Sequence, residues 1–308
     1  MGSKNGFILS FLQIKVSTLH IYKYGGIFVE NLKKWWIDLF HKDQEENSWW
    51  SRKKRLFEQR NAEIIRITGK GMLTSKRSYD QKDILQYNLH LTFFIKQDNH
   101  FYIEEKITPY QFRIQNGKIT EHKEVSRIEV TPNRKSSPYT LRQQDESERF
   151  SYNRHAAVQY AERWWNDYNP EYETFTVDCT NFVSQCLRAG GAPMRGQPDR
   201  NKGWWYTGSN WSYSWSVAHS LRWYLSGSTV GLKGKEKEKA SELLPGDIIC
   251  YDFQGDGRWD HTTIVVAHDE EGMPLVNAHT DNSRHRYWSY EDSTAWTPNI
   301  QYKFFQIE

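Results

Sequence analysis

The apolar residues change period along this chain, and the order of those changes limits the folds open to it. Between residues 27 and 42, Ile27, Phe28, Leu32, Trp35, Trp36, Leu39 and Phe40 recur every three or four positions. Lys33, Lys34 and Asp38 fall on the other side, so the stretch reads as an amphipathic helix. A second, charged helix is predicted over 47–62. Beyond it the period drops to two. Glu63–Thr68, Leu85–Ile95, Phe101–Thr108, Tyr110–Gln115 and Lys118–Val130 read as strands, punctuated by Asp98-Asn99, Pro109 and the hairpin dipeptide Asn116-Gly117. Helices followed by a meander predict a small α+β domain over residues 1–130, accessory in role. Residues 131–150 contain Pro132 and Pro138 and almost no aliphatic side chains, which marks a linker.

Past the linker, over 151–308, helices come first again. Asn153–Asn166 carries Ala156, Val158 and Ala161 on one side. Asp178–Gly191 reads as a complete helix, with Asp178 as N-cap, apolar residues at 182, 183, 186 and 187, and Gly190-Gly191 as the stop. Val217–Leu225 is a third helix. Pro245-Gly246 then turns into the strand Asp247–Phe253, and His261–Ala267 and Pro274–Thr280 form two more around the acidic turn Asp269–Gly272. The second half is therefore helices packed on antiparallel strands, and the chain as a whole is α+β.

At 308 residues the length fits two domains of about 150 residues each. The 41 Lys+Arg against 38 Asp+Glu leave a net charge of +3, too little for a nucleic-acid surface. Aromatic residues at 15% exclude a disordered chain. Three cysteines are an odd number, and Cys179 and Cys186 on one helix would lie about 10 Å apart, beyond disulfide reach. Phe7–Ile14 is about half a membrane span, carries Ser10 and Gln13, and lacks a cleavage site, so neither a transmembrane segment nor a signal peptide is predicted. The default is a soluble protein whose compartment stays open.

Cys179 is the residue with the most chemistry. At the first position of a helix, unpaired N–H groups and the dipole favour a thiolate, and the same groups could hold an oxyanion. Asp178 would oppose that charge if it faced inward, so it is expected to cap outward. The plain alternative is a small buried hydrophobe beside Phe182, Val183 and Cys186. A thiolate needs a base, and the base needs an orienting group. His261 opens an apolar strand after a Gly-rich loop, as a cleft residue would, although a strand-end histidine can also be plain surface. Asn277 and His279 on the next strand are the two candidate orienters. A four-residue loop at 269–272 would set His261 opposite Thr280 and turn both away from it; a three- or five-residue loop, or a bulge, would restore both.

Four runs occur in order: Asp178-Cys179-Thr180-Asn181-Phe182-Val183-Ser184-Gln185, Leu244-Pro245-Gly246-Asp247-Ile248-Ile249, Asp260-His261-Thr262-Thr263-Ile264-Val265-Val266 and Val276-Asn277-Ala278-His279-Thr280. Together they resemble the bacterial putative amidase domain family, related to the CHAP and NlpC-type cell-wall amidases and endopeptidases of the papain-like superfamily, over roughly residues 150–308. The resemblance implies a papain-like fold and a cysteine nucleophile acting through an acyl-thioester. Its catalytic set is Cys179, His261 and Asn277, with His279 as the alternative third residue. It also implies Tyr172 near the oxyanion site, an amide or peptide substrate such as a peptidoglycan stem peptide, and no cofactor or metal.

The run Gly203–Trp215 holds four Trp and two Tyr. These aromatics are expected to close a core beneath a long loop, with Trp204 or Trp205 bordering the substrate. Trp49-Trp50-Ser51-Arg52-Lys53-Lys54-Arg55, flanked by Glu45, Glu46 and Glu58, is expected to be a solvated helix face rather than a dock for an anionic surface. The competing function is a non-catalytic wall- or protein-binding module that keeps the fold. A metal hydrolase using His261, His279, Asp281 and a cysteine ranks last, because the spacings match no familiar zinc pattern.

Overall fold

The first periodic stretch forms helices and long strands as expected, but those strands then run on into the second half. The computed structural model describes residues 15–22, 27–41, 46–79, 82–115, 118–125 and 151–308. In chain order, the first half contains β1 (Lys15–Tyr22), α1 (Ile27–His41), α2 (Trp49–Gln59), β2 (Ala62–Tyr79), β3 (Lys82–Gln97), β4 (His100–Gln115) and β5 (Lys118–Glu124). The second half contains α3 (Arg154–Trp164), α4 (Cys179–Ala189), β6 (Tyr206–Thr207), β7 (Asn210–Trp211), α5 (Tyr213–Ser216), α6 (Ala218–Gly227), β8 (Gly234–Lys237), β9 (Ile248–Asp252), β10 (His261–His268), β11 (Pro274–Ala278), β12 (Ser283–Tyr287) and β13 (Gln301–Ile307). The fold is mixed α+β and mostly antiparallel. The segment Phe7–Ile14, the dipeptide Asn116-Gly117 and the expected linker lie outside the described residues. Among those described, no helix is long and apolar enough to cross a membrane.

The strands Phe101–Thr108 and Tyr110–Gln115 are one strand, β4, with Pro109 inside it. Proline removes a donor, so a mid-sheet position needs an explanation. The Pro109 carbonyl accepts from Val125 N–H at 2.9 Å, and Ile107 N–H donates to Asn282 O at 2.8 Å. The Pro109 nitrogen therefore points to the gap where β12 stops and β5 begins, and no ladder bond is lost.

The principal sheet runs β1-β2-β3-β4-β12-β11-β10-β9-β13-β8, with β5 beside β4. The two halves thus share one sheet, joined where Ser283 faces Lys106 and Arg284 faces Glu105. In the first half, Leu85, Tyr87, Leu89, Leu91, Phe93 and Ile95 alternate onto the face covered by Leu32, Trp36 and Phe40 of α1 and Trp50 and Phe57 of α2. Trp36 Nε1 donates to Tyr87 OH at 2.7 Å within that core. In the second half the sheet is covered on both faces. One face holds Ile248, Cys250, Ile264 and Phe305 under Phe182, Val183, Cys186 and Leu187 of α4. The other holds Ile249, Tyr251, Val265, Val276, Ala278 and Tyr290.

Every residue of α4 from Cys179 to Leu187 is buried, which makes it the central helix. A Cβ on Gly190 would lie 2.4 Å from the Tyr152 ring, and Gly191 takes φ +91, so both glycines at its end are required by geometry. Trp204, Trp205 and Trp215 are fully buried. Trp204 Nε1 donates to Ser184 Oγ at 2.9 Å, and Trp205 Nε1 is shared by the carbonyls of Asp199 and Lys202. The tryptophan run closes the core as expected, and neither Trp204 nor Trp205 is available to line a cleft.

Candidate active site

The start of α4, the start of β10 and the end of β11 converge on one atom, the Cys179 sulfur. The Thr180 hydroxyl lies 3.7 Å from it. The Thr262 backbone and the Thr280 side chain also favour its charged form. Thr180 Oγ1 and Thr262 Oγ1 are 3.1 Å apart, which fastens the helix start to the strand start. Burial pushes the Cys179 thiol above its ordinary value; the three threonines pull it down, and neighbouring Asp178 adds to the rise. Desolvation wins because the residue is only 2% exposed, so the lowering expected from the helix terminus does not prevail. At rest the group is a buried thiol with Thr180, Thr262 and Thr280 around it.

Asp178 does not cap outward. Its fully buried carboxylate accepts from Phe175 N–H at 3.0 Å and Asn181 Nδ2 at 2.9 Å, and its other oxygen lies 2.7 Å from His279 Nδ1. His279 Nε2 is 2.7 Å from the Trp164 carbonyl, and the ring stacks on Phe182 at 4.1 Å. Both ring nitrogens are thus held by oxygen atoms, the Asp178 carboxylate and the Trp164 carbonyl. His279 therefore braces the start of α4 and makes no bond to His261.

The register explains where the other imidazole goes. The loop after β10 has five residues, with His268 opposite Pro274, and a bulge lies between Val265 and Ala267. Either alone would put Asn277 and His279 on the face of His261. Together they cancel, leaving Ile264 opposite Asn277. Asn277 thus shares the α4 face with Ile264, while His261, three residues earlier, projects to the opposite face.

Asn277 is consequently not the orienter of His261. Its Nδ2 donates to Glu162 Oε1 at 2.8 Å and, at 3.4 Å, to the Ala161 carbonyl; its Oδ1 accepts from His285 N–H at 2.9 Å. Arg284 Nε also reaches Glu162, at 2.7 Å. Burial raises the Glu162 carboxyl, but bonds from His285, Arg284 and Asn277 outweigh it and bring the group to about 2. A carboxyl lowered on folding contributes stability above its unfolded value of about 4.3 and loses it as pH falls toward the folded one. Between about pH 4 and 2 the protein should therefore lose stability with a slope that Glu162→Gln reduces, read by urea titration across that range.

His261 is buried among Tyr251, Phe253 and Tyr290, with Nε2 3.2 Å from Tyr290 OH. Burial, helped by the Arg286 charge, pushes its imidazole down to about 3. The resting state is thus neutral thiol and neutral imidazole, without the expected thiolate–imidazolium pair, and no hydrogen bond joins the two. Tyr172 is half-buried, stacked on Trp215 at 5.8 Å and beside Tyr206, in the aromatic core rather than on the sulfur.

Sequence reasoning missed Thr262, Thr280 and Tyr290. A signal was present: both candidate histidines stand in His-Thr pairs, and in both it is the threonine that meets the sulfur. Thr280 and Tyr290 also hold φ of +84 and +57, a left-handed conformation that side-chain-bearing residues seldom adopt and that gathers at functional sites.

With that geometry in view, residues 151–305 match the family described as a putative amidase domain. The chain belongs to that family. An uncharacterized protein of Bacillus subtilis (strain 168), YhbB, is 48% identical over 263 residues, covering 83% of this chain and 85% of its own. A second from the same strain, the uncharacterized protein YjcM, is 34% identical over 141 residues, 42% of this chain and 31% of its own. No solved structure matches. Membership of the amidase family implies an amide substrate. The matched residues contain the Cys179 cluster, both His-Thr pairs and Asn277, and the match does not extend to the first half of the chain.

Proposed function

We propose that this protein hydrolyses amide bonds with Cys179 as nucleophile and His261 as base, and that its substrates are peptide or amide bonds of the bacterial cell-wall type. The observation that carries the reading is the cluster of Thr180, Thr262 and Thr280 around the Cys179 sulfur at the start of a buried helix, in a chain of the putative amidase domain family. Polar neighbours of that kind favour a developing thiolate or oxyanion.

His261 is the base rather than His279, because its one ring bond is to a hydroxyl that can be exchanged, whereas both nitrogens of His279 are occupied. His261 rests on the sheet face away from α4, so this reading requires the start of β10 to shift on substrate binding and carry the ring from Tyr290 to the sulfur. Movement away from Arg286 restores its basicity. His261 then takes the thiol proton as sulfur attacks the carbonyl carbon and the amide π electrons move to oxygen. On collapse the C–N bond breaks and the proton passes to the leaving amine; water then hydrolyses the thioester and returns the free thiol.

The test is mass spectrometry of peptidoglycan fragments and model amides after incubation with the full chain, together with a search for an acyl adduct on the Cys179 peptide. New amine and acid products with that adduct are expected. Products formed equally well by Cys179→Ala would overturn the mechanism, and a bound but uncut wall fragment would favour the binding-module alternative.

A further inference from the structure

We propose that Lys53 and Asp292, acting through Arg286 and Tyr290, are positioning residues that hold the His261 imidazole in its resting pose against Tyr290, so that the first half of the chain governs release of the base. The inference rests on the reading of His261 as base.

The path consists of short, buried contacts. Lys53 on α2 lies 3.1 Å from Asp292 Oδ2 and also pairs with Glu104 of β4. Asp292 Oδ1 takes Arg286 Nε at 2.9 Å and lies 2.8 Å from Nη2. The Arg286 guanidinium sits 3.8 Å over the Tyr290 ring. Tyr290 OH meets His261 Nε2 at 3.2 Å and Ser283 Oγ at 3.3 Å. Each of these residues is buried.

Two observations indicate that α2 fixes this segment rather than merely touching it. Arg52 Nε donates to the Glu291 carbonyl at 2.5 Å and Nη2 to the Ser293 carbonyl at 2.7 Å, so consecutive basic residues hold the backbone on both sides of Asp292 and its side chain. The stretch expected to be a solvated basic face is thus partly an internal clamp, with Trp50 and Lys53 buried. Tyr290 also keeps its left-handed backbone, a conformation that persists only when its surroundings impose it.

The charges reach the imidazole in alternation. Lys53 offsets Asp292, Asp292 offsets Arg286, and Arg286 repels a proton on His261. Glu104, Lys106 and Asp281 complete the charged surroundings of this chain of contacts. Removing the Lys53 cation leaves Asp292 to cancel more of the Arg286 charge, so the His261 midpoint should rise. Removing the Asp292 charge should lower it.

The experiment is nitrogen NMR of histidine-labelled full chain between about pH 3 and 8, with His261 assigned from its absence in His261→Gln. Wild-type His261 should hold one neutral tautomer down to about pH 4. Lys53→Met and, more strongly, Arg286→Met should move its ring shifts and raise its midpoint by about one pH unit or more, while Lys53→Arg restores the wild-type pattern. Folded Lys53→Met and Arg286→Met with unchanged His261 shifts would overturn the proposal, because a purely structural lysine would lower the melting temperature and leave the ring alone. Moved shifts in a protein lacking amide turnover would keep the positioning and discard the base assignment, so the two failures can be told apart.

Discussion

Replacing Cys179 with serine should lower amide turnover by at least about 10⁴-fold while the protein stays folded. The swap keeps a hydrogen-bonding side chain of nearly the same size, so the packing around Thr180, Thr262 and Thr280 survives. On the proposed mechanism what goes is the nucleophile: a serine hydroxyl is far harder to ionise than a thiol, and a neutral His261 must pull against that difference. His261→Gln should fall by a comparable factor, about 10³ or more, because loss of either partner leaves the other idle. The measurement is kcat on whichever amide the product survey identifies, with circular dichroism confirming the fold. Retained turnover in the serine variant would remove Cys179 from the chemistry.

The largest stability effect is expected at Asp178. Asp178→Ala leaves His279 without its carboxylate in a fully buried place, and strips acceptors from Phe175 N–H and Asn181 Nδ2 at once. Leaving a buried polar group without its partner costs about 1–3 kcal/mol, and three lose one here. The loss should appear as an earlier urea midpoint with an unchanged slope. The double variant Asp178→Ala with His279→Leu should recover part of it, since no imidazole nitrogen is then left without its partner. A single-variant loss under about 1 kcal/mol would mean that the pair is not what fixes the start of α4.

Much of this was readable in the residues. The apolar stripe of 27–42 gives α1, the alternation after residue 62 gives the long strands, and Asp178 through Gly191 gives α4 almost to the residue. Those signals are local, and local periodicity is what sequence carries best. Two features were hidden because they depend on distant partners. Pro109 looked like a strand end, and only the positions of β5 and β12 make it harmless. The conditional on loop length was correctly posed, but a bulge that compensates for a five-residue loop leaves no trace in composition. It moved Asn277 from the side of His261 to that of Glu162. The basic run 52–55 looked solvated because its partners, Glu104 and Asp292, are far away in the chain. The charge of a thiol set by burial was out of reach for the same reason: desolvation depends on everything packed around it.

The shared sheet has a practical outcome for anyone studying the amidase half by itself. A fragment starting near residue 151 would strip β4 from β12 and leave a bare strand edge, open to pairing with another copy of itself. Arg284 and Arg286 would lose Glu105 and the Lys53–Glu104 pair that complete their surroundings, and buried charges would meet water. Sticky, self-associating material from such a fragment would reflect where the chain was cut rather than any weakness in the enzyme.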